Sequence, residues 1–151
     1  MGGSLKRNVR RLRCLFEMSS TIGAEETIHV GEEITISSNS PVTEFAVVFE
    51  DDGETGYFYA VDKSKETLIV DALHIYDVSN VIDKAKPSLM QIVWTEDGFK
   101  AGLWINQYPH AVVDFASNRS YCRTNFPNFL SPGEDWASFS KEWSDEVLDS
   151  F

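Results

Sequence analysis

Cysteine is scarce in this chain: there are 2, Cys14 and Cys122, and no C-x-x-C pair. Thiols so few and so far apart imply neither a disulfide framework nor a zinc site, and no metal or other cofactor is expected. Long apolar runs are missing too. None approaches the roughly 20 residues that span a bilayer, so a soluble, cytoplasmic protein without a transmembrane segment is expected. Basic residues are thin outside the first 18 positions. Residues 1–18 hold Lys6, Arg7, Arg10, Arg11 and Arg13 against Glu17, a local balance of +4; the formal charge of −11 therefore leaves −15 for the rest. A body this acidic repels phosphate backbones, which argues against nucleic-acid binding by the folded part. It suits a basic protein partner and also serves plain solubility. P-loop, G-x-S-x-G, H-E-x-x-H and dinucleotide signatures are absent as well, so the common motif-borne chemistries have no foothold.

What is present is apolar and aromatic, at 42% and 13% of the 151 residues, enough to bury a core. The division expected is a basic, disordered arm over 1–18 and a single α+β domain over 19–151. The arm lacks a secretory h-region, since Cys14-Leu15-Phe16 runs straight into Glu17, and Lys6 stands where a myristoylation pattern needs a hydroxyl. A frayed tail, a short amphipathic anchor through Leu5, Val9, Leu12 and Phe16, and a start at Met18 all fit that composition.

From Thr27 the pattern becomes β. Thr27-Ile28-His29-Val30 and Glu33-Ile34-Thr35-Ile36 alternate around Gly31. Two runs then share one plan: apolar and aromatic residues flank Asp52-Gly53 over 45–60 and Asp97-Gly98 over 90–106, at a constant offset of 45. Asp-Gly suits a type I′ turn, so each reads as a β-hairpin. Duplication and shared turn chemistry explain the likeness equally well. Residues 68–76 read as a further strand, and 110–115 and 120–124 as a last hairpin. At the end, Ser131-Pro132-Gly133-Glu134 has capping-box form, and Trp136, Phe139, Trp143 and Val147 follow at helical spacing. The architecture expected is α+β: a predominantly antiparallel sheet of about eight or nine strands with a C-terminal amphipathic helix.

Two sets of residues carry functional candidates. If 116–119 form the last turn, Asp114 faces Tyr121, Val112 faces Arg123 and His110 faces Asn125. With a side-chain period of two, His110, Asp114, Tyr121, Arg123 and Asn125 then share one face. An imidazole, a carboxylate, a phenol and a guanidinium together could bind a small polar ligand or do acid–base work, with His110 as base. The plainer reading pairs Asp114 with Arg123 diagonally and lets Tyr121 cover their stems. The second set is acidic. Asp51 and Asp52 lie in the first hairpin turn, and Glu142, Asp145 and Glu146 on the expected helix. A calcium loop at Asp51-Asp52-Gly53-Glu54 fails, because Tyr57, Phe58 and Tyr59 occupy positions where ligands would stand.

The words Glu44-Phe45-Ala46-Val47-Val48-Phe49-Glu50-Asp51-Asp52-Gly53-Glu54-Thr55-Gly56-Tyr57-Phe58-Tyr59-Ala60, Asp71-Ala72-Leu73-His74-Ile75-Tyr76, Tyr108-Pro109-His110-Ala111-Val112-Val113-Asp114-Phe115 and Tyr121-Cys122-Arg123-Thr124-Asn125-Phe126-Pro127 resemble a small bacterial family defined as a domain of unknown function. The resemblance covers about 27–151 and implies a bacterial, cytoplasmic accessory protein, with no activity or ligand attached. The functional expectation is a non-enzymatic acidic binding or inhibitor protein of the immunity type. The alternative is a small-molecule-binding or hydrolytic domain centred on the 110–125 hairpin. A homodimer through an exposed sheet edge is compatible with either.

Overall fold

A computed structural model describes residues 20–124, 136 and 143–151. Nine strands follow one another: β1 (Thr21–Ile28), β2 (Ile34–Asn39), β3 (Phe45–Asp51), β4 (Thr55–Asp62), β5 (Ile69–Asp77), β6 (Ser88–Trp94), β7 (Lys100–Ile105), β8 (Tyr108–Asp114) and β9 (Arg119–Cys122). They form two antiparallel sheets. One has the order β2-β3-β4-β5 and the other β1-β6-β7-β8-β9. Apart from β1, which leaves its neighbour in sequence to pair with β6, each sheet is a meander.

The sheets pack face to face because strands such as β3, β4 and β6 bury side chains at alternate positions. Burial alternates along β4, where Phe58 and Ala60 point inward and Tyr57, Tyr59 and Val61 outward. Val47, Phe49, Phe58, Leu73 and Ile75 from the first sheet meet Met90, Ile92, Trp94, Leu103 and Val113 from the second in one core. Trp94 needs a partner for its indole N–H, and Ser38 across the interface supplies it, Nε1 donating to Oγ at 2.9 Å. At the other margin, the Thr124 hydroxyl donates to the His74 carbonyl at 2.6 Å, joining the end of β9 to β5.

Both Asp-Gly segments are hairpin turns, though neither is type I′. Only the glycines take positive φ, +96° at Gly53 and +75° at Gly98, whereas type I′ requires it at both central residues. The aspartates act as side-chain caps instead. Asp52 Oδ1 accepts the N–H groups of Glu54 and Thr55, and Asp97 Oδ1 accepts that of Phe99. The type I′ pattern occurs at Asn106-Gln107, where φ is 52° and 66°, between β7 and β8. The first strand also lies earlier than its pattern implies: His29 and Val30 belong to the turn before β2.

The expected α+β class is overturned. Among the described residues there is no α-helix, only 3₁₀ turns at Val78–Asn80 and Asp145–Leu148, so the fold is antiparallel β. The expected helix fails at Ser144, whose backbone is extended and whose hydroxyl accepts the Glu146 N–H, starting a fresh turn rather than continuing an older one. The aromatic spacing that imitates a helix serves separate contacts. Trp136 packs edge-on to Phe115 and donates to Ser120 Oγ at 3.1 Å, while Trp143 stacks on Arg123. The capping sequence 131–134, Phe139 and Glu142 lie outside the described residues.

Candidate functional site

Strand direction alternates through the chain, so the turns gather at two ends. One end collects the β1–β2 turn, the β3–β4 turn, the 3₁₀ turn after β5 and the β7–β8 turn. Carboxylates concentrate there. Glu32, Glu33, Asp52 and Glu54 are exposed, and Asp77 is partly so. Asp51 organises them from beneath. It is 1% exposed, its Oδ2 accepts the Gly31 N–H at 2.8 Å and the Tyr76 hydroxyl at 2.7 Å, and its Oδ1 accepts the Gly53 N–H at 2.8 Å. One buried carboxylate thus binds the β1–β2 turn, the β3–β4 turn and β5 together, satisfying donors that a buried turn would otherwise strand. A Val78 N–H to Glu54 carbonyl bond at 2.8 Å adds the 3₁₀ turn to the same assembly. The N–H groups of Glu54 and, next, Thr55 lower the pKa of Asp52, which therefore keeps its charge.

Beside this acidic end the two sheets part to form a cleft of about 590 Å³. Ile75 and Tyr76 from the first sheet and Met90 and Ile105 from the second line it, with Val81 and Ile82 on the β5–β6 connection and His110 and Thr124 on the far side. Its volume falls in the range of small-ligand pockets, and its apolar lining carries a few polar groups, as such pockets do. Ile82, at 84% exposure, projects an apolar side chain beside the cleft. Burial first, and the charge of Arg123 second, push the His110 pKa down, so its ring is neutral at physiological pH.

The four polar residues of the last hairpin divide. Asp114 pairs with Arg119 and Val112 with Tyr121, so the register is two residues away from the one expected with a 116–119 turn. A shift of two leaves every side chain on its expected face. The cause is Asp114 itself, whose Oδ1 caps the turn by accepting the N–H groups of Ala116 and Ser117. His110 and Arg123 come together, the Arg123 N–H donating to the His110 carbonyl at 3.0 Å. Arg123 is taken up elsewhere, however. Its guanidinium lies 4.4 Å from the Tyr108 ring centre and 4.3 Å from that of Trp143, its Nε donates to the Pro109 carbonyl, and Asp145 stands 3.6 Å from Nη2. Asp145 and Glu146 therefore sit over the outer face of the second sheet, apart from the Asp52 turn. Only His110 of the four lines the cleft. Glu33 and Asp77 at the acidic end, and Met90 and Ile105 in the cleft, come from separate parts of the chain and carry no local motif that would mark them in the sequence.

Residues 28–151 match the family described as an uncharacterized protein conserved in bacteria, DUF2251. The chain belongs to this family. It is also 44% identical over 105 residues to an uncharacterized protein of Haemophilus influenzae (strain Rd), an alignment covering 68% of this chain and 65% of that relative. No solved structure matches the chain. The DUF2251 segment contains β2 through β9, the acidic turns and every residue lining the cleft. Among the described residues no DUF2251 helix is long and apolar enough to cross a membrane, and no three potential metal-ligating side chains gather.

Proposed function

We propose that this DUF2251 chain is a non-enzymatic binding protein of the inhibitor or immunity type, engaging a basic protein through its acidic end. The observation that carries this reading is the convergence of Glu32, Glu33, Asp52, Glu54 and Asp77 on turns tied together by the buried Asp51. Rigid turns present charge without an ordering penalty, and a negative surface speeds encounter with a positive one. Replacing Glu32, Glu33 and Glu54 by Gln removes three charges while leaving the Asp51 and Asp52 hydrogen bonds in place. A lysate pull-down compares this variant with wild type at low and high salt. A basic protein held by wild type at low salt, released at high salt and not held by the variant supports the reading. Equal retention by both proteins would refute it, since attraction between surface charges is screened beyond about 8 Å at physiological ionic strength.

A second reading is favoured by the cleft, in which His110 is a neutral imidazole beside an apolar floor. On this reading the protein binds a small, largely apolar ligand with one polar group for His110. Native mass spectrometry after incubation with a metabolite extract tests it: a molecule retained by wild type is lost in His110→Ala, and retention of nothing sinks the idea.

A further inference from the structure

The outer face of the four-stranded sheet carries an aromatic surface that neither reading uses. Tyr57 and Tyr59 are two apart on β4, so both rings leave the same face. Their centroids lie 5.7 Å apart with the planes inclined by 24°. Both are partly exposed. The Tyr59 hydroxyl donates to Glu50 Oε1 at 3.0 Å on the neighbouring strand, fixing that ring and that carboxylate together. On the other side, the His74 ring lies 5.3 Å from Tyr57 and meets Asp77 Oδ1 at 2.8 Å. Desolvation raises the Tyr57 pKa, and the charges of Asp52 and Asp77 raise it further. The phenols thus stay neutral, with their negative π faces set among Glu50, Asp52 and Asp77. Lys63, in the turn after β4, reaches away, to Asn39 Oδ1 at 3.1 Å.

Such a surface attracts a cation, and its geometry selects the kind. An ammonium is a compact point charge, whereas a guanidinium is planar, stacks on rings and still offers N–H groups to a carboxylate in the ring plane. The chain already builds that arrangement internally: Arg123 lies between Tyr108 and Trp143 with the Asp145 carboxylate 3.6 Å away. Tyr57 and Tyr59, stacked on each other, and Glu50 beside them offer the same two kinds of group, ring face and carboxylate, on an outer surface. We propose that the Tyr57–Tyr59 face binds an arginine side chain of the basic partner, with Glu50 accepting its N–H groups. This rests on the acidic-end reading and names the residue of the partner that is recognised.

The test uses the full chain and two short fluorescent peptides, identical except that one carries arginines where the other carries lysines. Binding is read by anisotropy at low salt. Wild type binds the arginine peptide about two- to fivefold more tightly than the lysine peptide, the factor expected of a cation–π contact at an exposed site. Tyr57→Leu lowers arginine-peptide affinity to the lysine level and leaves the lysine peptide unchanged, while Tyr57→Phe keeps the preference. Equal affinities in wild type, or a Tyr57→Leu loss shared by both peptides, would overturn the arginine site and leave the acidic end standing. If neither peptide binds, both ideas fall.

Discussion

A carboxylate enclosed at 1% exposure needs its hydrogen bonds more than an exposed one does, and Asp51 has three. Asparagine in its place keeps the shape but turns one acceptor into a donor that faces backbone N–H. Asp51→Asn is therefore expected to lower stability by about 1–3 kcal/mol, seen as a lower urea midpoint with an unchanged slope. The same constellation sets an alkaline limit. Burial, and then the bond to Asp51, raise the Tyr76 pKa far above 10. The unfolded chain releases this proton near pH 10 while the folded chain holds it, so the contribution is complete below pH 10 and declines as pH rises beyond it. Stability measured from pH 8 to pH 11 should fall less steeply in Tyr76→Phe than in wild type; equal slopes would exclude Tyr76 as the cause. His110 acts at the opposite limit. Its depressed pKa means the unfolded state takes up a proton first, so stability declines as pH drops below about 6.5.

At the scale of elements, the last turn of the chain is held by aromatic and ionic contacts rather than by helical periodicity. Arg123 between Tyr108 and Trp143 fastens residues 143–151 to the second sheet, helped by Lys100 Nζ donating to Ser150 Oγ at 3.3 Å and by Phe151 against Trp104. Arg123→Lys keeps the charge and loses the planar stack, so amide exchange over 143–151 is expected to accelerate while the core strands lose only about 1 kcal/mol. This is also where the sequence is least legible. Alternation and turn chemistry reveal the β3–β4 and β6–β7 hairpins, the β5 run and the last hairpin, because those signals are local. The pairing of β1 with β6 and the separation into two sheets depend on contacts between distant segments. The last register depends on one capping carboxylate, Asp114. For the same reason His110 is recognisable as a candidate, whereas the cleft it lines, drawn from both sheets, is not. Asp52 is readable as a surface charge, but burial of its neighbour Asp51 requires the Tyr76 hydroxyl and the Gly31 turn, which lie 25 and 20 residues away.

On the scale of the whole molecule, a formal charge of −11 makes the compact state repel itself, most strongly where like charges crowd. The acidic end is such a place, with Glu32, Glu33, Asp52, Glu54 and Asp77 on neighbouring turns. Lysine does enter this end, Lys84 Nζ donating to the Val78 carbonyl at 3.2 Å, but the carboxylates outnumber it. The consequence is measurable without knowing the partner. Glu32→Gln, Glu33→Gln and Glu54→Gln together should raise stability at low ionic strength by a few tenths of a kcal/mol per charge removed, read as a higher melting temperature. The gain should shrink as salt rises, because screening already relieves the wild-type protein. A melting temperature that falls in the triple variant, at any salt, would mean that these carboxylates stabilise the turns rather than strain them. The acidic end would then be a structural device and not a docking surface for a basic partner.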